Sequence, residues 1–134
     1  SQAVPDATIL RQPSTEALTA LRDGVLDWLW LDGNKQYDVI LADLEQAVRV
    51  VRPGGVIIYA VCSLEPEEGP DQIAALCKAG APVRIDPIDP ATRPELEGLA
   101  PSAITPDGML RTLPCHWHER GGMDGFFAAR LVRT

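Results

Sequence analysis

The hydrophobic pattern of the chain is centred on Val56–Val61, a run that is apolar at nearly every position and rich in β-branched residues. Such a run predicts a strand that is buried on both faces, as in the middle of a parallel sheet. Pro53-Gly54-Gly55 comes just before it and predicts the end of a helix and a backbone reversal. The run ends at Cys62 and Ser63, at the carboxyl end of the strand, where open α/β sheets place ligands and reactive groups.

Strand and helix patterns alternate on either side of this run. Apolar residues in the helix before it recur at helical spacing, at Ile40, Leu44, Ala47, Val48 and Val51. The elements predicted before the run are a strand at 7–11, a helix from the N-cap Ser14 to Gly24, a strand at 25–31 and a helix at about 36–51. The elements predicted after it are a helix at about 70–79, a strand at 83–86, a proline-rich loop at 87–106 and strands at 109–113 and 126–132.

This order predicts one α/β domain over residues 1–134, with a mostly parallel sheet, helices on both faces and an antiparallel edge. The strand at 25–31 is apolar at most positions and is expected beside Val56–Val61. Trp28 and Trp30 alternate with leucines along it, which favours a place in the core on one face of the sheet over a stacking platform for a ligand.

Composition narrows the class of protein. The 134 residues are 46% hydrophobic, which is sufficient for a buried core and excludes a disordered chain. The three cysteines, Cys62, Cys77 and Cys115, do not form an even disulfide framework, which favours a reducing, cytoplasmic location. The net charge of −7 is unlike that of a nucleic-acid-binding protein, so phosphate contacts are expected to come mostly from elsewhere.

The segment from about Arg52 onward resembles a known family. Its Arg-Pro-Gly-Gly turn, apolar strand and Cys-Ser-Leu-x-Pro-Glu-Glu sequence are similar to those of Sun/Fmu-type methyltransferases, which make 5-methylcytosine in 16S ribosomal RNA. The closing segments at 108–114 and 122–131 agree. The resemblance implies the C-terminal half of a Rossmann-like fold, S-adenosylmethionine as cofactor, ribosomal RNA as partner and Cys62 as the nucleophile that attacks the cytosine ring. Val61 stands where the family has the threonine of its Thr-Cys-Ser motif.

The front of the chain departs from this family. No Gly-x-Gly loop that would bind the cofactor precedes Gly54, and the Pro-Cys pair of the family's fourth strand is missing. Residues 7–55 look more like a small-molecule O-methyltransferase, with an Asp-Gly-x-Lys-x-Tyr sequence before a helix. That resemblance implies that Asp32 contacts the cofactor or contributes to a divalent metal site. Asp32 is equally typical of a turn, while Lys35 and Tyr37 are interpreted as a solvated charge and a packing residue.

Two cysteines invite chemical interpretations. Cys62 lies between a strand end and a helix start, where a thiol can be activated, although a free cysteine is often only a small buried hydrophobe. Cys115-His116-Trp117-His118 resembles part of a zinc site but supplies too few ligands without a second pair, so no metal site is predicted.

Three functional hypotheses remain open. The chain is the nucleophile-bearing half of an RNA cytosine-5 methyltransferase, an O-methyltransferase-like enzyme that uses Asp32, or a non-catalytic partial domain that assembles with another chain. Because the cofactor loop is missing, we expect weak or no binding of S-adenosylmethionine and a free sheet edge that pairs with a second copy or a missing N-terminal half. We also expect Cys62 to react faster with iodoacetamide than Cys77, which the helical spacing from Ile73 places on a buried face.

Overall fold

A computed structural model describes residues 8–33 and 36–134, which form one mixed sheet and three α-helices. The helices are α1 (Ser14–Thr19), α2 (Tyr37–Val50) and α3 (Pro70–Lys78). The strands are β1 (Leu26–Asp32), β2 (Val51–Val61), β3 (Val83–Ile85), β4 (Leu110–Thr112) and β5 (Phe126–Arg133). Short 3-10 turns occur at 66–68, 90–92, 94–96, 101–103 and 118–120.

The sheet has the order β1-β2-β5-β3, and β4 pairs with the first residues of β5. The pairing between β1 and β2 is parallel, and β5 is antiparallel to β2, β3 and β4. Four strands therefore point the same way. The predicted α/β class and the central position of β2 are confirmed, but the antiparallel strand is not at an edge. It lies inside the sheet, where β2 pairs with one side of its backbone and β3 and β4 with the other.

One face of the sheet carries the core. Alternate residues of β2 (Ile57, Tyr59 and Val61) are at most 1% exposed, and Phe127 and Leu131 of β5 are fully buried beside them. The helices contribute the residues that the spacing predicts, among them Ile40, Leu44, Ala47, Val48, Ile73 and Leu76. α2 and α3 match their predicted limits to within about one residue. Their apolar sides and this face of the sheet make one continuous cluster.

The opposite face is covered differently, and here the prediction of helices on both faces is wrong for the described residues. Trp28 and Trp30 lie on this face, opposite Val56 and Ile58 of β2, and they are 65% and 54% exposed. Over β2 and β5, this face is covered by the segment at 90–96, which consists of 3-10 turns and not of an α-helix. The tryptophans are therefore not core residues, because no described helix packs over the β1 side of this face.

The Pro-Gly-Gly sequence does not end the preceding helix as predicted. α2 ends at Val50, and β2 already begins at Val51. Residues 52–55 form an irregularity in the pairing with β1, where Leu26 faces Val51 and Trp28 faces Val56. Gly54 has a φ of +80°, and a Cβ on Gly55 would come within 2.7 Å of the Asp27 carbonyl oxygen. The glycines therefore allow β2 to resume its register beside β1.

The first described residues differ most from the prediction. Thr8–Arg11 form no strand, and Ala7 lies outside the described residues. α1 ends at Thr19, well before Gly24, and Pro13, not Ser14, occupies its N-cap. The Ser14 hydroxyl instead donates to Asp43 of α2 at 2.5 Å, with Thr15 donating to the same carboxylate at 2.8 Å. A tertiary contact has replaced the local capping contact that the sequence suggests.

Elements near the C-terminus follow the prediction closely. β3, β4 and β5 lie within the three predicted strand segments, apart from one residue at the end of β5. The proline-rich loop at 87–106 contains three short 3-10 turns, each with proline in its first position. Among the described residues, no helix is long and apolar enough to cross a membrane.

Candidate functional site

The candidate site lies at the carboxyl ends of β1 and β2. Asp32 faces Ala60 in the parallel register, so the end of β1 lies beside the part of β2 that leads into Cys62. Both Asp32 and Cys62 are exposed. The structure therefore brings the two predicted site residues to the same end of the sheet, on neighbouring strands. The carboxyl ends of the strands are where an open α/β sheet presents its reactive groups.

The segment Cys62–Gly69, here called the Cys62 loop, connects β2 to α3. Arg111 of β4 reaches its first turn and donates from Nη1 to the Ser63 carbonyl oxygen. The Arg111 guanidinium also lies over the ring of Phe127, with its Cζ 5.2 Å from the ring centroid. Partial burial lowers the pKa of Arg111 from its usual value. The loop is thus connected to β4, a strand 48 residues farther along the chain.

A second contact holds the outer side of the Cys62 loop. The Tyr37 hydroxyl, at the first residue of α2, donates to the Glu65 carboxylate at 2.8 Å. This contact and the nearby glutamates raise the pKa of Tyr37 to about 12. Tyr37 is 47% exposed, so its interpretation as a packing residue is wrong. Lys35, interpreted as a solvated charge, lies outside the described residues.

The base of the Cys62 loop rests on buried aromatic residues. The Tyr59 hydroxyl donates to the Glu68 carbonyl oxygen at 2.5 Å. Burial, followed by the charges of Glu68 and Asp32, raises the pKa of Tyr59 to about 12. A Cβ on Gly69 would lie 2.8 Å from the Phe127 ring, so only glycine lets the loop pass this closely over β5. The loop is therefore fixed at its beginning, its middle and its end.

The loop at 113–125, between β4 and β5, reaches the same end of the sheet. Thr112 pairs with Phe126, Val61 pairs with Phe127, and a Cβ on Gly125 would overlap the Leu64 side chain. This loop therefore borders the Cys62 loop at the carboxyl end of β2.

The first histidine of the Cys-His-Trp-His sequence, His116, has a structural role. His116 is 7% exposed, and its Nδ1 accepts a hydrogen bond from the Leu113 amide at 3.0 Å. Its Nε2 lies 3.5 Å from the Ser102 hydroxyl. These contacts use both ring nitrogens to join two loops. Over the described ranges, no group of three or more His, Cys, Asp and Glu side chains could hold a metal ion.

Cys77 does not lie where the spacing predicted. Ile73 and Leu76 are the residues of α3 that are buried, whereas Cys77 is exposed like Cys62 and Cys115. The buried side of this short helix follows an i, i+3 pair instead of an i, i+4 pair. Solvent accessibility therefore gives no reason for Cys62 to react faster than Cys77 with iodoacetamide. The predicted difference in rate must come from the charges and hydrogen bonds around each thiol.

Two contacts of this site were not found from the sequence, although Tyr37 itself was noted there as a packing residue. Arg111 and Tyr37 contact the Cys62 loop from elements far away in the chain, 48 and 28 residues from their partners. The available signal for Arg111 was a lone cation in a strand that is otherwise apolar and uncharged, Met109-Leu110-Arg111-Thr112-Leu113. The sequence contained no signal that identified either partner.

The described residues fit an S-adenosylmethionine site only in part. Asp32 offers a carboxylate at the end of β1, but Gly33 packs internally, since a Cβ there would lie 2.8 Å from the Tyr59 hydroxyl. Gly33 is thus used for packing between strands and does not open a cradle. At this end of the sheet the described residues thus include an exposed carboxylate but no glycine-rich loop that would form a cradle for the cofactor.

The sheet has the Rossmann-like fold of a methyltransferase, with Asp32 and Cys62 at adjacent strand ends. The chain belongs to the 16S rRNA methyltransferase RsmB/F family, whose model matches residues 33–132. Members of this family are S-adenosylmethionine-dependent methyltransferases, in agreement with the resemblance seen in the sequence. A second family model, described as a methyltransferase domain, matches residues 2–60.

Relatives of this chain are longer proteins. The ribosomal RNA small subunit methyltransferase B of Thermus thermophilus is 32% identical over 91 residues, which are 68% of this chain and 19% of the relative. The Shewanella oneidensis protein of the same name is 28% identical and aligns with 96% of this chain and 27% of its own length. The chain thus spans about a quarter or less of these curated relatives.

Solved structures agree on the fold. The Pyrococcus horikoshii protein NSun6 superposes with a TM-score of 0.65 at 16% identity, covering 97% of this chain and 35% of that one. A structure of PH0851 gives a TM-score of 0.70 at 21% identity, with 92% and 30% covered. At these identities the likeness shows a shared fold.

Proposed function

We propose that the chain is the nucleophile-bearing part of an enzyme that methylates carbon 5 of cytosine in ribosomal RNA, with Cys62 as the nucleophile. The observation that carries this proposal is the position of Cys62. It is exposed at the carboxyl end of the central strand, next to the strand that ends at Asp32, and within a loop held by contacts from α2 and β4. Membership of the RsmB/F family supports RNA as the substrate and a cytoplasmic location.

The chemistry assigned to Cys62 is nucleophilic catalysis. Its thiolate adds to carbon 6 of the cytosine ring, which moves electron density to carbon 5. S-adenosylmethionine, when bound, supplies an electrophilic methyl group for carbon 5. Loss of the carbon 5 proton to a base then expels the Cys62 thiolate and restores the aromatic ring. In this proposal Asp32, at the carboxyl end of the neighbouring strand β1, contacts the cofactor.

We further propose that the free edge of β1 pairs with additional protein, either a second copy or a preceding half of the domain, and that this pairing completes the cofactor site. β1 is an end strand of the described sheet, and it carries the exposed Trp28 and Trp30. Exposed edges with apolar side chains favour pairing with another chain. The chain alone is expected to bind S-adenosylmethionine weakly, which calorimetry measures directly.

The test of the nucleophile is methyl transfer from radiolabelled S-adenosylmethionine to 16S RNA, with the chain alone and with the longest polypeptide in which this sequence occurs. Cys62→Ser should abolish incorporation at cytosine carbon 5, while Cys77→Ser, a matched change at another exposed cysteine, should retain it. Methylation that survives Cys62→Ser would contradict the proposal.

A second candidate function is methyl transfer to oxygen in a small molecule, with Asp32 near the cofactor. It is favoured by the methyltransferase-domain model, which matches the front of the chain, including Asp32. In this case Asp32→Asn should reduce activity on a hydroxylated small molecule, and Cys62→Ser should leave that activity unchanged. A non-catalytic partial domain would show no methyl transfer to either substrate in any of these polypeptides.

A further inference from the structure

We infer that Arg111 is a positioning residue for Cys62: its guanidinium fixes the direction in which the backbone leaves β2 and hence the orientation of the thiol. The inference rests on the proposed function, in which Cys62 is the nucleophile. It concerns a contact that joins β4 to the first turn of the Cys62 loop.

The first observation is the contact itself. Nη1 of Arg111 donates to the carbonyl oxygen of Ser63, the residue that directly follows Cys62. A carbonyl held at this place limits rotation of the peptide units on either side of it. Cys62 is exposed and follows the last residue of the strand, and the local contact in this turn is a hydrogen bond that the Ser63 hydroxyl accepts from the Glu65 amide at 3.1 Å.

The second observation is that Arg111 is itself held in place. It pairs with Phe127 across the β4–β5 ladder, and its guanidinium also lies over that ring. The neighbouring Thr112 hydroxyl donates to the Asp124 carbonyl oxygen at 2.8 Å, which ties β4 to the segment before β5. The cation therefore projects from a supported strand and not from a mobile loop.

The third observation explains why an arginine occupies this position. Only a planar guanidinium can stack on an aromatic face and donate hydrogen bonds from its edge at the same time, whereas a lysine ammonium is a point charge. A Cβ on Gly69 would lie 3.2 Å from Nη2 of Arg111, so the end of the Cys62 loop also passes close to this group. Arg111 thus contacts the start of the loop and borders its end.

The experiment uses the full chain with Cys77→Ser and Cys115→Ser, so that Cys62 is the only thiol. Arg111→Met and Arg111→Lys are compared with Arg84→Met, a matched loss of a guanidinium from exposed Arg84 of β3. Amide hydrogen exchange over residues 62–69 reports the conformation of the loop. The ratio of alkylation rates with iodoacetate and iodoacetamide reports the electrostatic potential at the thiol.

In Arg111→Met, we expect exchange over 62–69 to rise about tenfold, since contacts of this kind set local opening. The iodoacetate to iodoacetamide ratio at Cys62 should fall about threefold, as for unit charges several ångströms apart in a water-like dielectric. Arg111→Lys should keep the ratio but lose the protection, because it retains the charge and not the planar geometry. Arg84→Met should change neither quantity.

A folded Arg111→Met chain with unchanged exchange over 62–69 would overturn the inference, even if the ratio falls, because the arginine would then act only through its charge. If Arg111→Met does not fold, the test uses Arg111→Lys, which keeps an aliphatic stem on Phe127. Unchanged exchange over 62–69 in that variant would then overturn the inference. None of these readouts requires methyl transfer. If methyl transfer by the longest polypeptide survives Cys62→Ser while the exchange pattern is as expected, the proposed function is rejected and the positioning role of Arg111 is retained.

Discussion

Replacing Tyr59 with phenylalanine removes one hydroxyl from the centre of the sheet. Tyr59 is fully buried on β2, and its hydroxyl donates to the Glu68 carbonyl oxygen at 2.5 Å. Phenylalanine fills nearly the same volume, so the change leaves a buried carbonyl without this donor and creates no large cavity. A loss of this kind costs about 1–2 kcal/mol of unfolding free energy. For a domain of this size, the melting temperature should fall by about 4–7 °C.

The same hydroxyl makes the stability depend on alkaline pH. Burial raises the pKa of Tyr59 to about 12, whereas an unfolded tyrosine titrates near about 10. The folded state therefore favours the protonated phenol. This contribution is fully present below about pH 10 and is lost as the pH rises towards about 12, with a slope of up to about 1.4 kcal/mol per pH unit. At about pH 11, the wild-type chain should have lost about 1.4 kcal/mol from this group.

Urea denaturation of the wild type and of Tyr59→Phe, followed from pH 7 to pH 12, measures both effects. The variant should be the less stable chain at pH 7, and the two stability curves should meet near about pH 11. Tyr37→Phe separates out the contribution of the only other tyrosine in the sequence, because its contact with Glu65 also raises the pKa of Tyr37 to about 12. Curves for the wild type and Tyr59→Phe that stay parallel over this range would refute the assignment of the alkaline loss to Tyr59.

Two further predictions concern the surface of the sheet. Trp28→Ser and Trp30→Ser should each change the unfolding free energy by less than about 1 kcal/mol, because both indoles are more than half exposed. The buried control Leu44→Ala should cost about 2–5 kcal/mol. A large loss of stability from either tryptophan variant in urea denaturation would show that this face is covered in solution. Arg130, which contacts Asp86 at 2.6 Å, holds the pKa of that carboxyl below its usual value. Its stabilising effect is present above about pH 4 and lost as the pH falls further, so acid titration of Asp86→Asn should show a shallower loss of stability than the wild type, and an unchanged profile would count against this pair.

Much of this architecture was predictable from local sequence patterns. The apolar run at Val56–Val61 identified the central strand, and the helical spacing in α2 identified its buried residues. The position of Cys62 followed as well, since a residue that comes directly after a buried strand must lie at that strand's carboxyl end. These features depend on contacts whose periodicity is visible within a short stretch of chain, and the family resemblance came from the same stretches.

The sequence misled where burial depends on a distant neighbour. Trp28 and Trp30 have the alternation of a buried strand, but burial requires a second layer over that face, and the described residues provide none there. Ser14 has the identity of a helix cap, yet its hydroxyl donates to Asp43 from another helix. In both cases the local pattern allows two outcomes, and the packing partner decides between them.

The surroundings of Cys62 were decided by the tertiary structure alone. Local sequence patterns placed the thiol at the end of β2 but left the shape of the following loop open. That shape depends on Tyr37 from α2 and on Arg111 from β4. Arg111 reaches the loop because β4 pairs with β5, which lies next to β2 in the sheet. Periodicity records which side of an element is buried, whereas the partner of a single polar side chain depends on how all the elements are arranged.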